Sequence, residues 1–163
     1  MLAHESIVSW DDLIAHLEGL RSRRRIVFTN GCFDVLHPGH VDYLARARAY
    51  GDLLVVGVND DDSVRSLGKG IGRPINKLRE RMYVLAHLSC VDFVTWFSES
   101  TPYELIKRVR PDVLVKGGDW PVEKIVGRDI VEAVGGRVLS IPLLEGYSTT
   151  EMFVRVRELT REE

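Results

Sequence analysis

The sequence predicts a single α/β domain built on a doubly wound, five-stranded parallel sheet, and two observations lead to this prediction. Short apolar runs alternate along the chain with segments whose apolar residues recur at helical spacing. Such alternation is typical of parallel strands joined by right-handed helical crossovers. In addition, the run Leu53–Val58 is apolar at consecutive positions, as expected for a central strand that is buried on both faces.

Length and composition agree with one folded domain and exclude several classes of protein. The chain has 163 residues, 45% of them hydrophobic and 28% charged, which is an ordinary balance for a globular protein. The net charge of −2 gives no reason to expect a nucleic acid or an anionic membrane as partner. Two cysteines are too few for a disulfide framework, and no apolar run approaches the ~20 residues that span a bilayer. The charged N-terminus does not resemble a signal peptide, so we expect a cytoplasmic protein.

Within residues 1–163 we predict an N-terminal helical segment, residues 1–24, and an α/β core, residues 25–160. Ser9 is the expected N-cap of the first helix, whose first turn carries Asp11 and Asp12. The arginines that follow, between positions 21 and 25, fit a solvated helix end better than an arm for nucleic acid.

The remaining elements follow from apolar runs, caps and glycine-rich breaks. Residues 59–76 are polar and rich in glycine, which predicts a loop with a short helix near Ser63–Leu67. Asn76, Thr101 (with Pro102 in the first turn) and Ser148 are the expected caps of three later helices. Strands are predicted at 26–28, 53–58, 91–97, 113–115 and 137–141, and helices at 39–50, 76–88, from 101 and from 148.

The strongest functional signal is the segment Thr29–His40, TNGCFDVLHPGH, at the end of the first strand and the start of a helix. Ligands of open α/β sheets bind at this position, and amides at a helix N-terminus attract anions. His37 and His40 are three residues apart, so both imidazoles can point to one side. Gly39 leaves room for a phosphate to approach the backbone. The pattern predicts stabilisation of charge on a transferring phosphoryl group.

Two other interpretations of this segment stay open. Cys32, Asp34, His37 and His40 could bind zinc, although their spacing fits no common template. The histidines could also be structural, with their ring nitrogens bonded to backbone carbonyls. Asp34 could orient one imidazole or cap the loop, and we expect Cys32 to be a small packing residue.

Three further segments indicate a phosphate- and nucleotide-binding site. Val113–Trp120 (VLVKGGDW) ends a strand with glycines that admit a base or ribose, and Asp119 can accept a hydrogen bond from a ribose hydroxyl. Gly146–Thr150 (GYSTT) places hydroxyls and free amides at the start of the last helix. Lys69, in the glycine-rich segment Gly68–Asn76, and Arg81 can close over bound phosphates.

Together these segments resemble the signature of the HxGH-type nucleotidyltransferases, the cytidylyltransferase superfamily. The resemblance implies a Rossmann-like fold and direct attack of a phosphate acceptor on a nucleoside triphosphate. We expect Mg²⁺ as the usual partner of ATP, held mainly by phosphate oxygens and water, and the motifs predict no protein ligand for it. The catalytic residues would be His37, His40, Lys69 and Arg81. The nucleotide-binding residues would be Thr29, Asn30, Gly31, Cys32, Phe33, Asp34, Gly39, Lys116, Gly118, Asp119, Gly146, Ser148, Thr149 and Thr150.

Within the superfamily, residues 25–159 look most like the adenylyltransferases of ADP-heptose synthesis. These enzymes join ATP and D-glycero-β-D-manno-heptose 1-phosphate to give ADP-heptose and pyrophosphate for the lipopolysaccharide core. The resemblance implies a stand-alone version served by a separate heptose kinase and phosphatase, and a homodimer. Glycerol-3-phosphate cytidylyltransferase is the alternative, although Leu143 occupies the position of an arginine that helps to hold a phosphate there. A catalytically silent nucleotide-binding module is a more remote alternative.

Overall fold

The described part of the chain is organised around one parallel sheet. A computed structural model describes residues 4–68, 72–118 and 120–160. The five strands are β1 (Ile26–Gly31), β2 (Leu53–Asn59), β3 (Phe93–Phe97), β4 (Val113–Gly117) and β5 (Arg137–Ile141). They run in the order β3-β2-β1-β4-β5, which is the order of a Rossmann-like sheet. The doubly wound, five-stranded parallel fold predicted from the sequence is confirmed.

Helices cover both faces of this sheet. The helices are α1 (Trp10–Glu18), α2 (Pro38–Arg48), α3 (Asp61–Ser66), α4 (Leu78–Ala86), α5 (Tyr103–Val109), α6 (Arg128–Ala133) and α7 (Thr149–Leu159). One apolar cluster joins α2 and α4 to the face that carries Val27, and the other joins α1, α5 and α6 to the face that carries Phe28. Within the described ranges, none of these helices combines the length and the apolarity that crossing a bilayer requires.

The N-terminal segment is bonded to the edge of the sheet. The Val8 amide donates to the Val94 carbonyl (3.0 Å), and the Val94 amide donates to the Ser6 carbonyl (2.8 Å). This pairing covers the outer edge of β3, which would otherwise present free backbone groups. The Ser9 hydroxyl accepts from the Asp12 amide (3.2 Å), so the predicted N-cap of α1 is confirmed. The division at residue 24 stays a prediction.

Two helix starts differ from the expectation, and one short helix was not expected. Lys77, not Asn76, precedes α4, and its amide donates to the Glu80 carboxylate (2.7 Å). Asn76 cannot act as the cap because its amide and side chain are bonded to Asp34. Pro102 stands in the N-cap position of α5 instead of Thr101. Helix α6 was not predicted because its six residues are too few to establish a periodic pattern.

Aspartates fix the register at the amino-terminal edge of the sheet, opposite the predicted site. Asp52, Asp92 and Asp112 immediately precede β2, β3 and β4, and each accepts a hydrogen bond from a backbone amide at the start of the neighbouring strand. Asp92 accepts from the Leu54 amide (2.7 Å) and from Arg48 Nε (2.9 Å). In the same way, the Arg25 amide donates to the Asp52 carboxylate and the Ile26 amide donates to the Asp112 carboxylate, both at 2.7 Å.

We expect Asp92→Ala to lower the free energy of unfolding by about 1–3 kcal/mol, because a strand amide loses its charged acceptor. The loss of unfolding free energy should be smaller in Asp92→Asn, since asparagine keeps an oxygen that can accept from the Leu54 amide. The control is Asp62→Ala, whose carboxylate is 86% exposed and pairs with Arg65 at the surface; we expect a change within about 0.5 kcal/mol. Urea unfolding measures all three, and equal losses in Asp92→Ala and Asp62→Ala would contradict the prediction.

Candidate active site

The candidate site lies where β1 and β4 separate. Their register extends over Val27–Val113 and Phe28–Leu114, whereas β1 and β2 remain aligned from Ile26 to Gly31. The chain leaves β1 and β4 for helices on opposite faces, which opens a crevice beyond the carboxyl ends of the strands. A cavity of about 260 Å³, here called cavity I, occupies this position.

Cavity I brings together eight of the residues predicted from the sequence. They are Asn30, Gly31, Cys32, Phe33, Asp34, His40, Lys116 and Thr149. The other described residues that line it are Tyr43, Val64, Arg73, Gly117, Trp120 and Leu143. Lys69 and Asp119 lie outside the described residues. The β1 turn, the end of β4 and the start of α7 therefore converge on one space, although they are distant in sequence.

The two histidines form a stacked pair at the start of α2. Their ring centroids are 3.9 Å apart, at an interplanar angle of 37°. Because His37 is the extended N-cap residue and His40 lies in the first turn, both rings reach the same side. Gly39 permits this stacking, since a Cβ there would lie 3.0 Å from His37 Nδ1. The expected placement of the imidazoles is thus confirmed.

His37 is buried behind His40 and is 8% exposed. Burial lowers the pKa of its imidazole below the ordinary value of 6.5, and the charge of Glu151 opposes this shift only in part. His37 is therefore neutral near pH 7. Its Nδ1 is buried and has no hydrogen-bond partner among the described residues. An unsatisfied buried ring nitrogen is costly unless a ligand or water completes it, which is typical of a binding site.

Phe33 adopts a strained backbone conformation that supports the histidine pair. Its φ is 47°, in the left-handed region that a phenylalanine rarely occupies. In this conformation its ring meets that of His40 edge-on, with centroids 5.6 Å apart. The same ring covers Gly31, where a Cβ would lie 3.0 Å from Phe33 Cε2. Glycine at position 31 thus lets the aromatic ring close against the turn.

Asp34 connects the active-site turn to the segment 73–76. Its carboxylate accepts from Arg73 Nη1 (2.7 Å) and from the amides of Ile75 (2.8 Å) and Asn76 (2.9 Å). Asn76 Nδ2 also donates to the Asp34 carbonyl (2.6 Å). Of the two local roles considered for Asp34, the structure shows the loop contact. Arg73, which also stacks over the Phe153 ring at 4.7 Å, extends this connection to α7.

Arg81 is a buried hub beneath the site and does not line cavity I. Its side chain is 0% exposed. Nη1 donates to the carbonyls of Cys32 (2.6 Å) and Asn59 (2.8 Å), which lie beyond β1 and at the end of β2. Nε donates to the Asn76 carbonyl (3.0 Å), and Nη2 pairs with Asp61 (2.7 Å). The expectation that Arg81 closes over a phosphate is not met in this structure, because these acceptors already hold its guanidinium.

At the end of β4, Lys116 reaches across to β1. Its Nζ donates to Asn30 Oδ1 at 3.5 Å, so an ammonium group stands between the two separating strands. Gly118 follows with a φ of 102°, which turns the chain toward Trp120. The Trp120 amide then donates to Ser140 Oγ (3.1 Å) on β5.

Of the residues in the GYSTT segment, Thr149 lines cavity I and the others do not. Ser148 Oγ accepts from the Glu151 amide (3.1 Å), so Ser148 is the N-cap of α7, as predicted. Thr149 lines cavity I, whereas Thr150 is exposed outside it. Gly146 has a φ of 78° and turns the chain into the cap. Leu143 lines the cavity with an apolar side chain.

Sequence reasoning missed Tyr43, which closes the floor of cavity I. Its hydroxyl shares a hydrogen bond with Thr29 Oγ1 and donates to the Val115 carbonyl at 3.3 Å. These bonds bridge β1 and β4 beside the point where the strands separate. Burial raises the pKa of the Tyr43 phenol, so it remains a neutral donor. Its place three residues after His40 on α2 is the signal that could have identified it. Thr29, predicted to bind nucleotide, is fully buried and is bonded to this tyrosine.

A second cavity of about 330 Å³, here called cavity II, adjoins the first. The two share the wall formed by Asn30, Gly31, Cys32, Lys116 and Trp120. Cavity II extends toward the start of α5 and the turn before α6, on the opposite face of the sheet from α2.

The residues described by the structure contain no group of three or more His, Cys, Asp or Glu side chains that could hold a metal ion. Within cavity I, Asp34 is the one carboxylate among the described lining residues, and Arg73 and two amides bond to it. The grouping of Cys32, Asp34, His37 and His40 considered from the sequence is therefore not assembled as a metal site in this part of the chain.

Comparison with known proteins identifies relatives over nearly the whole chain. The family model described as cytidylyltransferase-like matches residues 28–153. The bifunctional protein HldE of Pseudomonas aeruginosa is 52% identical over 157 residues, which cover 96% of this chain and 33% of that protein. HldE of Syntrophotalea carbinolica is 52% identical over 163 residues, which cover 95% of this chain and 33% of that protein. The chain thus spans about a third of the length of these curated relatives.

Solved structures show the same architecture. A lipopolysaccharide core biosynthesis protein from Thermoplasma volcanium has a TM-score of 0.61 and 28% identity, covering 77% of this chain and 99% of that chain. Pantoate-β-alanine ligase from Francisella tularensis has a TM-score of 0.62 at 15% identity, and the match covers 96% of this chain and 79% of that chain. The second likeness is one of fold alone.

We expect Tyr43→Phe to lower the free energy of unfolding by about 1–3 kcal/mol, because Thr29 Oγ1 loses its buried partner. Introducing Thr29→Val into the Tyr43→Phe variant should lower the free energy of unfolding by less than Thr29→Val does in the unaltered protein. In the double variant both hydroxyls are absent, so neither is left without its partner. Urea unfolding of the single and double variants measures the coupling, with Tyr50→Phe, on a half-exposed ring, as control. Strictly additive losses would show that the two hydroxyls do not interact.

Proposed function

Because this chain belongs to the cytidylyltransferase-like family of nucleotidyltransferases, we propose that it transfers AMP from ATP to D-glycero-β-D-manno-heptose 1-phosphate. The products are ADP-heptose and pyrophosphate. The observation that carries the proposal is the stacked pair of His37 and His40, held at the start of a helix beside a cavity at the switch point of the sheet. This pair supplies donors where a nucleoside triphosphate would lose pyrophosphate.

The relatives support the choice of acceptor. The curated relatives are named as bifunctional proteins, and this chain matches about a third of their length, so it corresponds to part of their activities. The Thermoplasma volcanium neighbour is described as a lipopolysaccharide core biosynthesis protein. ADP-heptose is a precursor of that core, in agreement with the resemblance of the sequence motifs. Leu143, an apolar residue in the wall of cavity I, favours this acceptor over glycerol 3-phosphate.

The proposed reaction is an in-line displacement at the α-phosphorus of ATP. An oxygen of the sugar phosphate forms the new bond to phosphorus as the bond to the bridging oxygen of pyrophosphate breaks, without a covalent enzyme intermediate. His40 and the neutral His37 behind it stabilise negative charge on the triphosphate oxygens. Lys116, which stands between β1 and β4, neutralises charge on the opposite side of the reacting group. Lys69, which lies outside the described residues, is a further proposed catalytic residue.

Arg81 and Asp34 act through the residues that they hold. Arg81 fixes the carbonyl of Cys32 and thereby the turn that carries Phe33. Asp34 anchors the segment that contains Arg73, which lines cavity I. Both are positioning residues in this proposal, and the direct contacts with substrate come from His37, His40, Lys69 and Lys116.

Mg²⁺ is proposed to arrive with ATP. The Asp34 carboxylate in cavity I is already bonded to Arg73 and two amides, so the chain's own groups fit an ion bound chiefly by phosphate oxygens and water. When bound, the ion would neutralise charge on the triphosphate. We further propose a cytoplasmic homodimer whose sugar phosphate is supplied by kinase and phosphatase activities, with no nucleic-acid or membrane partner.

We expect His40→Ala to reduce turnover by about 10²–10³-fold, because it removes a positioned donor to the triphosphate. The matched control is His16→Ala, an exposed histidine on α1 that bonds to the Asp12 carbonyl of its own helix. Pyrophosphate release measures turnover, and circular dichroism verifies the fold of each variant. Unchanged turnover in folded His40→Ala would refute the assigned role.

The substrate pair is tested by a pyrophosphate-release panel that crosses ATP, CTP, GTP and UTP with several sugar and polyol phosphates. We expect the highest kcat/KM for ATP with the heptose 1-phosphate. A preference for CTP with glycerol 3-phosphate would replace the proposed substrates and keep the nucleotidyltransferase. Absence of release with every pair would favour a silent nucleotide-binding module.

A further inference from the structure

We propose that Ser140, on β5, is a positioning residue that holds Trp120 in the wall of cavity I and thereby controls the affinity for ATP. This inference rests on the proposed function and adds to it a residue outside the four segments that carry the motifs. It begins from one side-chain hydroxyl, which bonds to the backbone at both ends of the turn between Gly118 and Trp120.

The Ser140 hydroxyl acts as a donor and an acceptor at the same time. It donates to the Gly118 carbonyl and accepts from the Trp120 amide at 3.1 Å. A hydroxyl can do both because its one oxygen carries a hydrogen and two lone pairs. The Gly118 amide forms a further bond to the same strand, to the Ile141 carbonyl at 2.9 Å. The end of β5 therefore holds the backbone on both sides of the turn.

The turn depends on these bonds because its own backbone is permissive. Gly117 and Gly118 are consecutive glycines, and neither carries the Cβ that restricts the backbone of other residues. Gly118 has a φ of 102°, one of several regions open to a glycine. Ser140 lies opposite Lys116 in the register of β4 and β5, so its hydroxyl stands beside the residues where β4 ends. Its two bonds select one conformation of the turn among the many that glycines allow.

The conformation of the turn decides where the Trp120 ring lies. A Cβ at Gly118 would lie 3.5 Å from Cδ1 and Nε1 of this ring, so the indole rests against the glycine backbone. Trp120 lines cavity I and is 51% exposed, which leaves part of its ring open to a bound substrate. Ser140 itself does not line the cavity. It acts on the substrate through Trp120 and leaves the histidine pair on α2 unchanged.

Loss of the Ser140 hydroxyl should weaken the binding of ATP without slowing the chemical step. Without its two bonds, the turn occupies the binding-competent conformation for a smaller fraction of the time. The apparent Kd rises in inverse proportion to that fraction. Saturating ATP restores the competent conformation, so kcat is retained. A rise in KM at constant kcat is therefore the kinetic signature of this positioning role.

The test compares two side chains at position 140 that differ in the hydroxyl. Ser140→Thr keeps it, whereas Ser140→Val has the shape of threonine without it, and both residues suit a strand. The control is Thr160→Val, which removes a hydroxyl that donates to the Val156 carbonyl (3.2 Å) at the exposed end of α7. Pyrophosphate release with the heptose 1-phosphate gives KM for ATP and kcat, and calorimetry gives Kd for a non-hydrolysable ATP analogue.

We expect Ser140→Val to raise KM for ATP and Kd for the analogue by about 10-fold, which corresponds to a competent fraction of about a tenth. Its kcat should stay within about 2-fold, as should every constant of Ser140→Thr and of the control. Equal losses of affinity in Ser140→Val and Ser140→Thr would overturn the inference, because the hydroxyl would then not matter. A lowered kcat with unchanged KM, or unchanged constants in Ser140→Val, would overturn it too.

A second measurement follows Trp120 directly. The protein has three tryptophans, so labelling the full chain with 5-fluorotryptophan gives three fluorine resonances, and Trp120→Phe identifies the one from position 120. We expect Ser140→Val to shift or broaden this resonance and to leave the other two in place, and Ser140→Thr to keep all three. An unmoved Trp120 resonance in Ser140→Val would overturn the inference. Equal changes in all three would also overturn it, because they indicate a general loss of structure.

The failure of the inference is distinguishable from that of the proposed function. If the unaltered protein converts ATP and the heptose 1-phosphate but Ser140→Val does so with the same KM, the proposed function stands and the role of Ser140 is wrong. If the unaltered protein binds the ATP analogue without turnover and Ser140→Val weakens that binding, the role of Ser140 stands and the reaction is wrong. If the unaltered protein neither binds the analogue nor turns over, both are overturned.

Discussion

The separation of β1 and β4 at their carboxyl ends is the constraint on which the rest of the molecule depends. Two neighbouring parallel strands whose connections leave to opposite faces cannot be covered by either connection, so a crevice remains between them. In this chain the crevice becomes two cavities with a common wall, and the ends of both strands form that wall. Every segment that the motifs singled out and the structure describes reaches the edge of the sheet where this crevice opens.

A crevice of this kind exposes backbone groups at strand ends, and buried polar side chains hold those ends in place. Arg81 donates to the carbonyls of Cys32 and Asn59, while Tyr43 links Thr29 with Val115. At the opposite edge of the sheet, aspartates before β2, β3 and β4 bond to amides of neighbouring strands. The register is thus fixed at one edge, and the polar groups at the other keep the site open in a defined shape.

The need to hold these strand ends in place explains the roles of two charged residues, Arg81 and Asp34. A motif containing an arginine and an aspartate near a phosphate site suggests direct contact with substrate, but both side chains are used within the protein. Arg81 is fully buried among its acceptors, and Asp34 is bonded to Arg73 and two amides. Residues that support a reactive turn can therefore look like ligands in sequence, because the same chemistry serves both tasks.

The sequence by itself determined the parallel α/β fold, the N-caps Ser9 and Ser148 and the placement of His37 and His40 on one side of a helix start. These features depend on local periodicity and on neighbours within a few residues, which a sequence displays directly. The tertiary structure alone decided that Arg81 is buried, that Asn76 bonds to Asp34 instead of capping α4, and that Tyr43 joins β1 to β4. Each of these depends on a contact between residues far apart in the chain, and the choice among possible partners is made only when the strands and helices pack.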